Sequence, residues 1–206
     1  MTAGISIVVP VKGLRAGKSR LAQTMTDDAR WELNRHLTER TLGIATAFAD
    51  TADVYAVSPD PDVEEIAASF SVRFLHQSGD GLNPGLEEAA CQLPGGRTIY
   101  LAVDLPDLAT DDIRALAETT GIGIATDLRG LGTNALSVPA PRTLAFRFGP
   151  NSFELHRMLA IESGFAVETV MRPGLAFDLD TENDFLRANR YTKGWPKSTN
   201  PRNLRT

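Results

Sequence analysis

A single cysteine, Cys91, excludes an intramolecular disulfide framework and suits a reducing compartment. It follows Glu87-Glu88-Ala89-Ala90, which reads as helix, so Cys91 is expected to be a small core hydrophobe and not a nucleophile. Positive charge is not in excess: the formal net charge is -5, the wrong sign for a nucleic-acid-binding domain. No apolar run approaches the length of a membrane span. The first residues lack the basic, apolar and small-residue segments of a secretory signal. Together these absences lead us to expect a cytoplasmic protein with no nucleic-acid and no membrane partner. Internal repeats and composition breaks are also missing, and 206 residues suit one sizeable domain. That domain is expected over residues 1–190. Residues 191–206, rich in Pro, Asn, Lys and Arg and without an acidic residue, are expected to be a flexible polar tail.

The chain is organised around its start. Ile5-Ser6-Ile7-Val8-Val9 is a near-continuous apolar run, the pattern of a strand buried on both faces. Pro10-Val11-Lys12-Gly13-Leu14-Arg15-Ala16-Gly17-Lys18-Ser19-Arg20 follows, with two glycines and four cations, then helix-forming residues. Glycines allow close backbone approach, and a helix start offers free N–H groups to an anion. The acidic balance therefore hides a local basic site suited to phosphate.

Further on, Asp27 to Asp50 carries apolar residues at helical spacing, with Asp27 and Asp28 at the positive end. Asp53 to Val57 and Val72 to Leu75 read as strands, with a helix from Val63 to Phe70 between them. This alternation predicts an α/β domain with three α/β/α layers and a mostly parallel sheet. A fully buried strand is expected at Thr98 to Val103, a further strand at Gly121 to Thr126, a returning strand at Asn134 to Val138, and a late one at Val167 to Val170. A helix is expected to run to Leu93 with Pro84 in its first turn, and further helices after Thr110 as N-cap, from Asn151 or Ser152 to Ser163, and from Asp180 or Thr181 to about Arg190.

Several loops at strand ends carry candidate chemistry. His76 to Gly85 is polar and glycine-rich, and ligands of open α/β sheets bind at such places. Asp104, at the tip of a buried strand, is placed to ligate Mg²⁺ near phosphates. Gly132-Thr133-Asn134 and Gly149-Pro150-Asn151-Ser152 offer backbone N–H groups and short polar side chains. Asp178 and Asp180 are two apart, so an extended backbone turns both carboxylates to one side, which is costly without a cation between them.

Gly13 to Ser19 is close to a P-loop, but Lys12 occupies the position of the first required glycine. A P-loop-like kinase is therefore disfavoured against nucleotidyl transfer, in which several cations hold the phosphates of an NTP and separated aspartates hold Mg²⁺. With those residues, Asp104-Leu105-Pro106, Gly132-Thr133-Asn134-Ala135-Leu136, Phe148-Gly149-Pro150-Asn151-Ser152-Phe153 and Phe177-Asp178-Leu179-Asp180-Thr181, the chain resembles the phospholactate, phosphoenolpyruvate and 3-phosphoglycerate guanylyltransferases of deazaflavin coenzyme F-420 biosynthesis. The resemblance runs from about Ile5 to Arg190. It implies a GT-A-like, Rossmann-like nucleotidyltransferase fold and transfer of GMP from GTP to 2-phospho-L-lactate, phosphoenolpyruvate or 3-phospho-D-glycerate.

By the same resemblance, Lys12, Lys18 and Arg20 are the catalytic cations that hold the GTP phosphates. Pro10, Val11, Gly13 and Ser19 complete that loop, and the Gln77 to Asn83 stretch, with Asp80 and Leu82, reads guanine. Thr133, Gly149 and Ser152 hold the acceptor, and Asp104, Asp178 and Asp180 bind Mg²⁺. The product's instability implies transient contact with the downstream phospho-acid transferase. A homodimer is compatible with the sequence. The alternatives are a related nucleotidyltransferase acting on a sugar phosphate or molybdopterin, and a nucleotide-binding regulator that does not turn over.

Overall fold

The computed structural model describes residues 4–48 and 52–189. Its strands are β1 (Ile5–Pro10), β2 (Ala52–Ser58), β3 (Arg73–His76), β4 (Thr98–Leu101), β5 (Ile122–Thr126), β6 (Thr133–Val138) and β7 (Val167–Thr169). Its helices are α1 (Asp27–Ala47), α2 (Pro61–Ser69), α3 (Leu82–Ala90), α4 (Thr110–Ala117), α5 (Ser152–Glu162), α6 (Pro173–Ala176) and α7 (Glu182–Asn189).

The strands form one sheet in the order β3-β2-β1-β4-β6-β5-β7. All neighbours are parallel except β6, which runs against both β4 and β5. β4, β5 and β6 are buried along their whole length, β4 as expected and β6 despite Thr133, Asn134 and Ser137, whereas β3 at the edge is half exposed. Alternation along β1 divides the interior. Ile7 and Val9 join a core with α1, α2, α4 and α6, and Val8 joins a second core with α3 and α5 on the opposite face.

A third, smaller core brings the last described helix back to the start. Phe177, Leu179, Phe185 and Ala188 pack on Leu21, Met25, Ala29, Leu33 and Leu37. Tertiary burial thereby fixes the last described helix, α7, beside the opening loop. Thr181 caps α7: its hydroxyl accepts the Asp184 N–H at 3.3 Å, and Asp184 in turn accepts the Thr181 N–H at 2.8 Å. Asp178 and Asp180 are thus spared from capping.

Several local expectations differ from the structure. The residues after the opening loop form a short 3-10 turn, Ser19–Gln23, before α1 is started separately by Thr26, whose side chain accepts the Ala29 N–H. α3 starts at Leu82 with Pro84 in its first turn, as expected, but ends at Ala90, short of the expected Leu93. Ala109, and not Thr110, stands at the N-cap of α4, where the Asp112 carboxylate accepts its N–H at 2.9 Å. Cys91 is exposed, because Leu86, Ala89 and Ala90 form the inward face of α3 and the chain leaves the helix at Cys91. The expected ends of α1 at Asp50 and of the last helix at Arg190, and the tail 191–206, lie outside the described residues. Among the described residues, no helix is long and apolar enough to cross a membrane.

Leu179 is fully buried between the two exposed-side carboxylates. Leu179→Ala should cost about 2–5 kcal/mol of unfolding free energy, by lost transfer and a new cavity. Urea denaturation near neutral pH measures it, and a loss within experimental error would show that the third core is dispensable.

Candidate active site

The opening loop is clamped from beneath. Asp60, N-cap of α2, accepts the Asp62 N–H through one oxygen and the Leu14 N–H through the other, at 3.0 and 2.8 Å. Asn34 of α1 donates to the Leu14 carbonyl at 2.6 Å and lies against Gly17, where a Cβ would stand 2.8 Å from its amide. Gly13 has φ +117°, a conformation that side chains other than glycine resist. The loop thus delivers Lys18, itself left-handed at φ 56°, into the protein.

Lys18 Nζ donates to Asp104 at 2.6 Å and to Asp180 at 3.0 Å, and its side chain is 7% exposed. Burial alone would push this amine down; the two carboxylates outweigh it and hold Lys18 above its usual value. Arg20 reaches Asp180 from outside at 3.5 Å. Among the described residues, Asp178 receives no such cation. Burial first, then the charges of Asp104, Asp180 and Asp127, push it up to about 6.

Asp104, Asp178 and Asp180 offer only hard oxygen donors, the chemistry that suits Mg²⁺, and the crowding felt by Asp178 is what a cation relieves. Among the described residues, no three such side chains close on a ready-made metal cage. The Lys18 ammonium already sits between Asp104 and Asp180.

Opposite these groups stands a wall built on the second core. Thr133 opens β6, Gly149 turns at φ +136°, and Ser152 begins α5, 1% exposed. The first N–H groups of α5 are already used: Ser152 donates to the Gly149 carbonyl and Phe153 to the Leu131 carbonyl. That helix end therefore does not offer these two groups to an anion, contrary to the expectation of an open N-terminus. Behind the wall, His156 is fully buried. Its Nε2 accepts the Arg147 N–H at 2.9 Å, and its Nδ1 lies 3.0 Å from Thr133 Oγ1. Burial, and then the charge of Arg147, lower it to about 4.

A cavity of about 550 Å³ lies between the two walls. Of the residues expected from sequence, Pro10, Arg20, Leu82, Asp104, Thr133, Gly149, Ser152, Asp178 and Asp180 line it, and Lys18 reaches it from below through its two carboxylates. The other expected residues are not among its walls. Val11 is buried and gives its N–H to Val57, Gly13 shapes the turn, and Lys12 and Ser19 are exposed beside it. Gln77 braces its own loop by donating to the Gly81 carbonyl at 3.0 Å, and Asp80 is exposed on that loop.

Asn83 is engaged elsewhere: its amide donates to the Phe148 carbonyl at 3.0 Å and accepts the Phe148 N–H at 2.9 Å. One helical turn later Glu87 accepts the Phe146 N–H at 3.2 Å, so one face of α3 holds the segment leading to Gly149 in place. The side-chain amides of Gln77 and Asn83 therefore shape the backbone here and are not directed at a base.

Sequence reasoning left out His156, Asp127 and Arg129 as site residues. Asp127 and Arg129 line the cavity, and Asp127 is held below its usual value because the N–H groups of Leu131 and Gly132 and the charge of Arg129 outweigh its burial. The run of glycines after Asp127 was the available signal for this loop. For His156 there was none.

Because His156 is neutral when folded, the unfolded chain binds a proton there between pH 6.5 and 4 that the folded protein does not. This part of the stability is present above pH 6.5 and is lost as pH falls towards 4, by up to roughly 3 kcal/mol. Urea unfolding of wild type and His156→Asn at both ends of that window should show a smaller drop in the variant. Equal drops would mean that the ring is not held neutral.

The family model described as guanylyl transferase CofC like matches residues 5–194. A phosphoenolpyruvate guanylyltransferase of Rubrobacter xylanophilus is 40% identical over 187 residues, covering 87% of this chain and 91% of that protein. One of Thermobaculum terrenum is 36% identical, covering 88% and 81%. Among solved structures, a nucleotidyl transferase from Methanothermobacter thermautotroptrophicus superposes with a TM-score of 0.67 at 20% identity, over 92% of this chain and 99% of that one. Its likeness supports the nucleotidyltransferase fold, with a mostly parallel sheet between helical layers. Matched over nearly its whole described length, with its carboxylates and lysine gathered at one cavity, the chain belongs to the CofC-like guanylyltransferase family.

Proposed function

We propose that the protein transfers GMP from GTP to the phosphate of a small three-carbon phospho-acid, with release of pyrophosphate, in biosynthesis of coenzyme F-420. The observation that carries this reading is the convergence of Asp104, Asp178, Asp180, Lys18 and Arg20 with Thr133, Gly149 and Ser152 around one cavity. The name shared by the relatives supports phosphoenolpyruvate as the first acceptor to test, ahead of 2-phospho-L-lactate and 3-phospho-D-glycerate.

The acceptor phosphate is ionised at neutral pH and needs no general base. One of its oxygens attacks the α-phosphorus of GTP, the bond from that phosphorus to the β-phosphate breaks, and pyrophosphate leaves. The residues act by positioning and by neutralising charge. Lys12 and Arg20, both exposed at the loop, and Lys18 beneath it hold the phosphates of GTP. Asp104, Asp178 and Asp180 would hold Mg²⁺, which when bound neutralises phosphate oxygens. Thr133, Gly149 and Ser152 hold the acceptor. The turn from Gln77 to Asn83 forms the guanine end through its backbone and Leu82, with Pro10, Val11, Gly13 and Ser19 as the frame of the phosphate loop. The reading extends to a cytoplasmic enzyme, alone or as a homodimer, that hands an unstable product to the downstream phospho-acid transferase.

Pyrophosphate release should require GTP, an acceptor and a divalent cation, and EDTA should abolish it. Folded Asp104→Ala and Asp178→Ala proteins should each lose at least about a hundredfold in kcat/KM. Full activity in either variant removes that residue from the metal set, and no release with any three-carbon phospho-acid overturns the reaction.

A further inference from the structure

His156 is a fully buried titratable group that the proposed reaction leaves without a task. Its surroundings determine which of its nitrogens carries the proton. Nε2 faces the Arg147 N–H at 2.9 Å, and a backbone N–H can only donate, so Nε2 must be a bare acceptor. A neutral ring then carries its hydrogen on Nδ1, and that N–H points at Thr133 Oγ1 at 3.0 Å. Thr133 has one hydroxyl hydrogen. It cannot be given to His156, whose two nitrogens are now committed, so it is left for the cavity that Thr133 lines.

We propose that His156 is a positioning residue that makes the Thr133 hydroxyl an obligate hydrogen-bond donor to an oxyanion of the acceptor. This rests on the assignment of Thr133 to the acceptor side of the proposed reaction. The opposite tautomer would draw the hydroxyl hydrogen back to Nδ1 and turn an oxygen lone pair towards the anion. The same ring couples the parts of the acceptor wall, because it sits on α5, which begins at Ser152, and holds both β6 and the extended segment leading to Gly149. Phe148 packs edge-on to it at 4.8 Å and helps to keep water away from the pair. The low proton affinity of the ring keeps this arrangement unchanged across the working pH range.

Two measurements test the proposal. Long-range ¹H–¹⁵N spectra of the wild-type protein near neutral pH should show His156 protonated on Nδ1 alone; an Nε2–H tautomer or an imidazolium overturns it, whatever reaction the protein performs. In steady-state kinetics, His156→Leu should raise the acceptor KM at least about tenfold and the GTP KM less than about twofold, since a hydrogen bond to a charged ligand is weakened. His156→Asn, whose amide can still donate to Thr133, should stay within about threefold of wild type. In a Thr133→Val background, His156→Leu should add less than about twofold, because its route is already cut. Equal rises in both KM values, or multiplying effects in the double variant, overturn the proposal. If His156→Leu does not fold, His156→Asn with the spectra decides. Absence of pyrophosphate release by wild type defeats the guanylyltransferase reading and leaves the tautomer result standing.

Discussion

The Lys18 ammonium ties together three stretches of chain that lie far apart in sequence: its partners Asp104 and Asp180 are 86 and 162 residues away. A buried amine without a partner costs several kcal/mol, and two carboxylates crowded without a cation are also unfavourable. Each therefore needs the other. The left-handed backbone at Lys18 costs about 1–2 kcal/mol, which the surrounding contacts must offset. Much of the sequence near the loop serves this one placement. Gly13 makes the turn, Asp60 and Asn34 pin it, and the core around Leu179 holds the second carboxylate at the right height.

The architecture around that interaction explains how a mostly parallel sheet makes a two-sided cavity. β1 and β4 end on one side of it, delivering the cationic loop and Asp104. β6, running against its neighbours, starts at the same edge where they finish, so Thr133 faces the ends of parallel strands. A single reversed strand thereby puts the beginning of one element opposite the ends of others. α3 then fixes the remaining wall through backbone contacts made by Asn83 and Glu87.

The parts of this that could be read from sequence are those whose cause is local. Runs such as Ile5 to Val9 and Thr98 to Leu101 declare buried strands because both their faces are apolar. Asp178 and Asp180 were legible because an apolar residue between two carboxylates turns both to one side of an extended chain. What remained hidden depends on partners remote in sequence or in the main chain. Asn83 looks like a ligand-reading amide until Phe148, 65 residues later, takes both ends of it. His156 lies within an ordinary amphipathic helix, and its meaning comes from a backbone N–H and from Thr133, 23 residues upstream. The exposure of Cys91 was missed because the inward face of α3 is carried by Leu86, Ala89 and Ala90, and the helix stops there, leaving Cys91 as its C-cap.

The two walls stand on different foundations. The cationic loop and its carboxylates are anchored to the cores that contain Leu14, Leu105, Leu21 and Leu179, whereas Phe146, Leu86 and Ala160 support the wall of Thr133, Gly149 and Ser152 on the other face of the sheet. Substitutions that reshape one wall therefore leave the packing of the other largely untouched. On the proposed reaction, a lineage can exchange one acceptor for another by altering α3, α5 and the segment from Phe146 to Gly149, while retaining its apparatus for the nucleoside triphosphate. Diversification of acceptors around a constant donor is then what this division of the site permits.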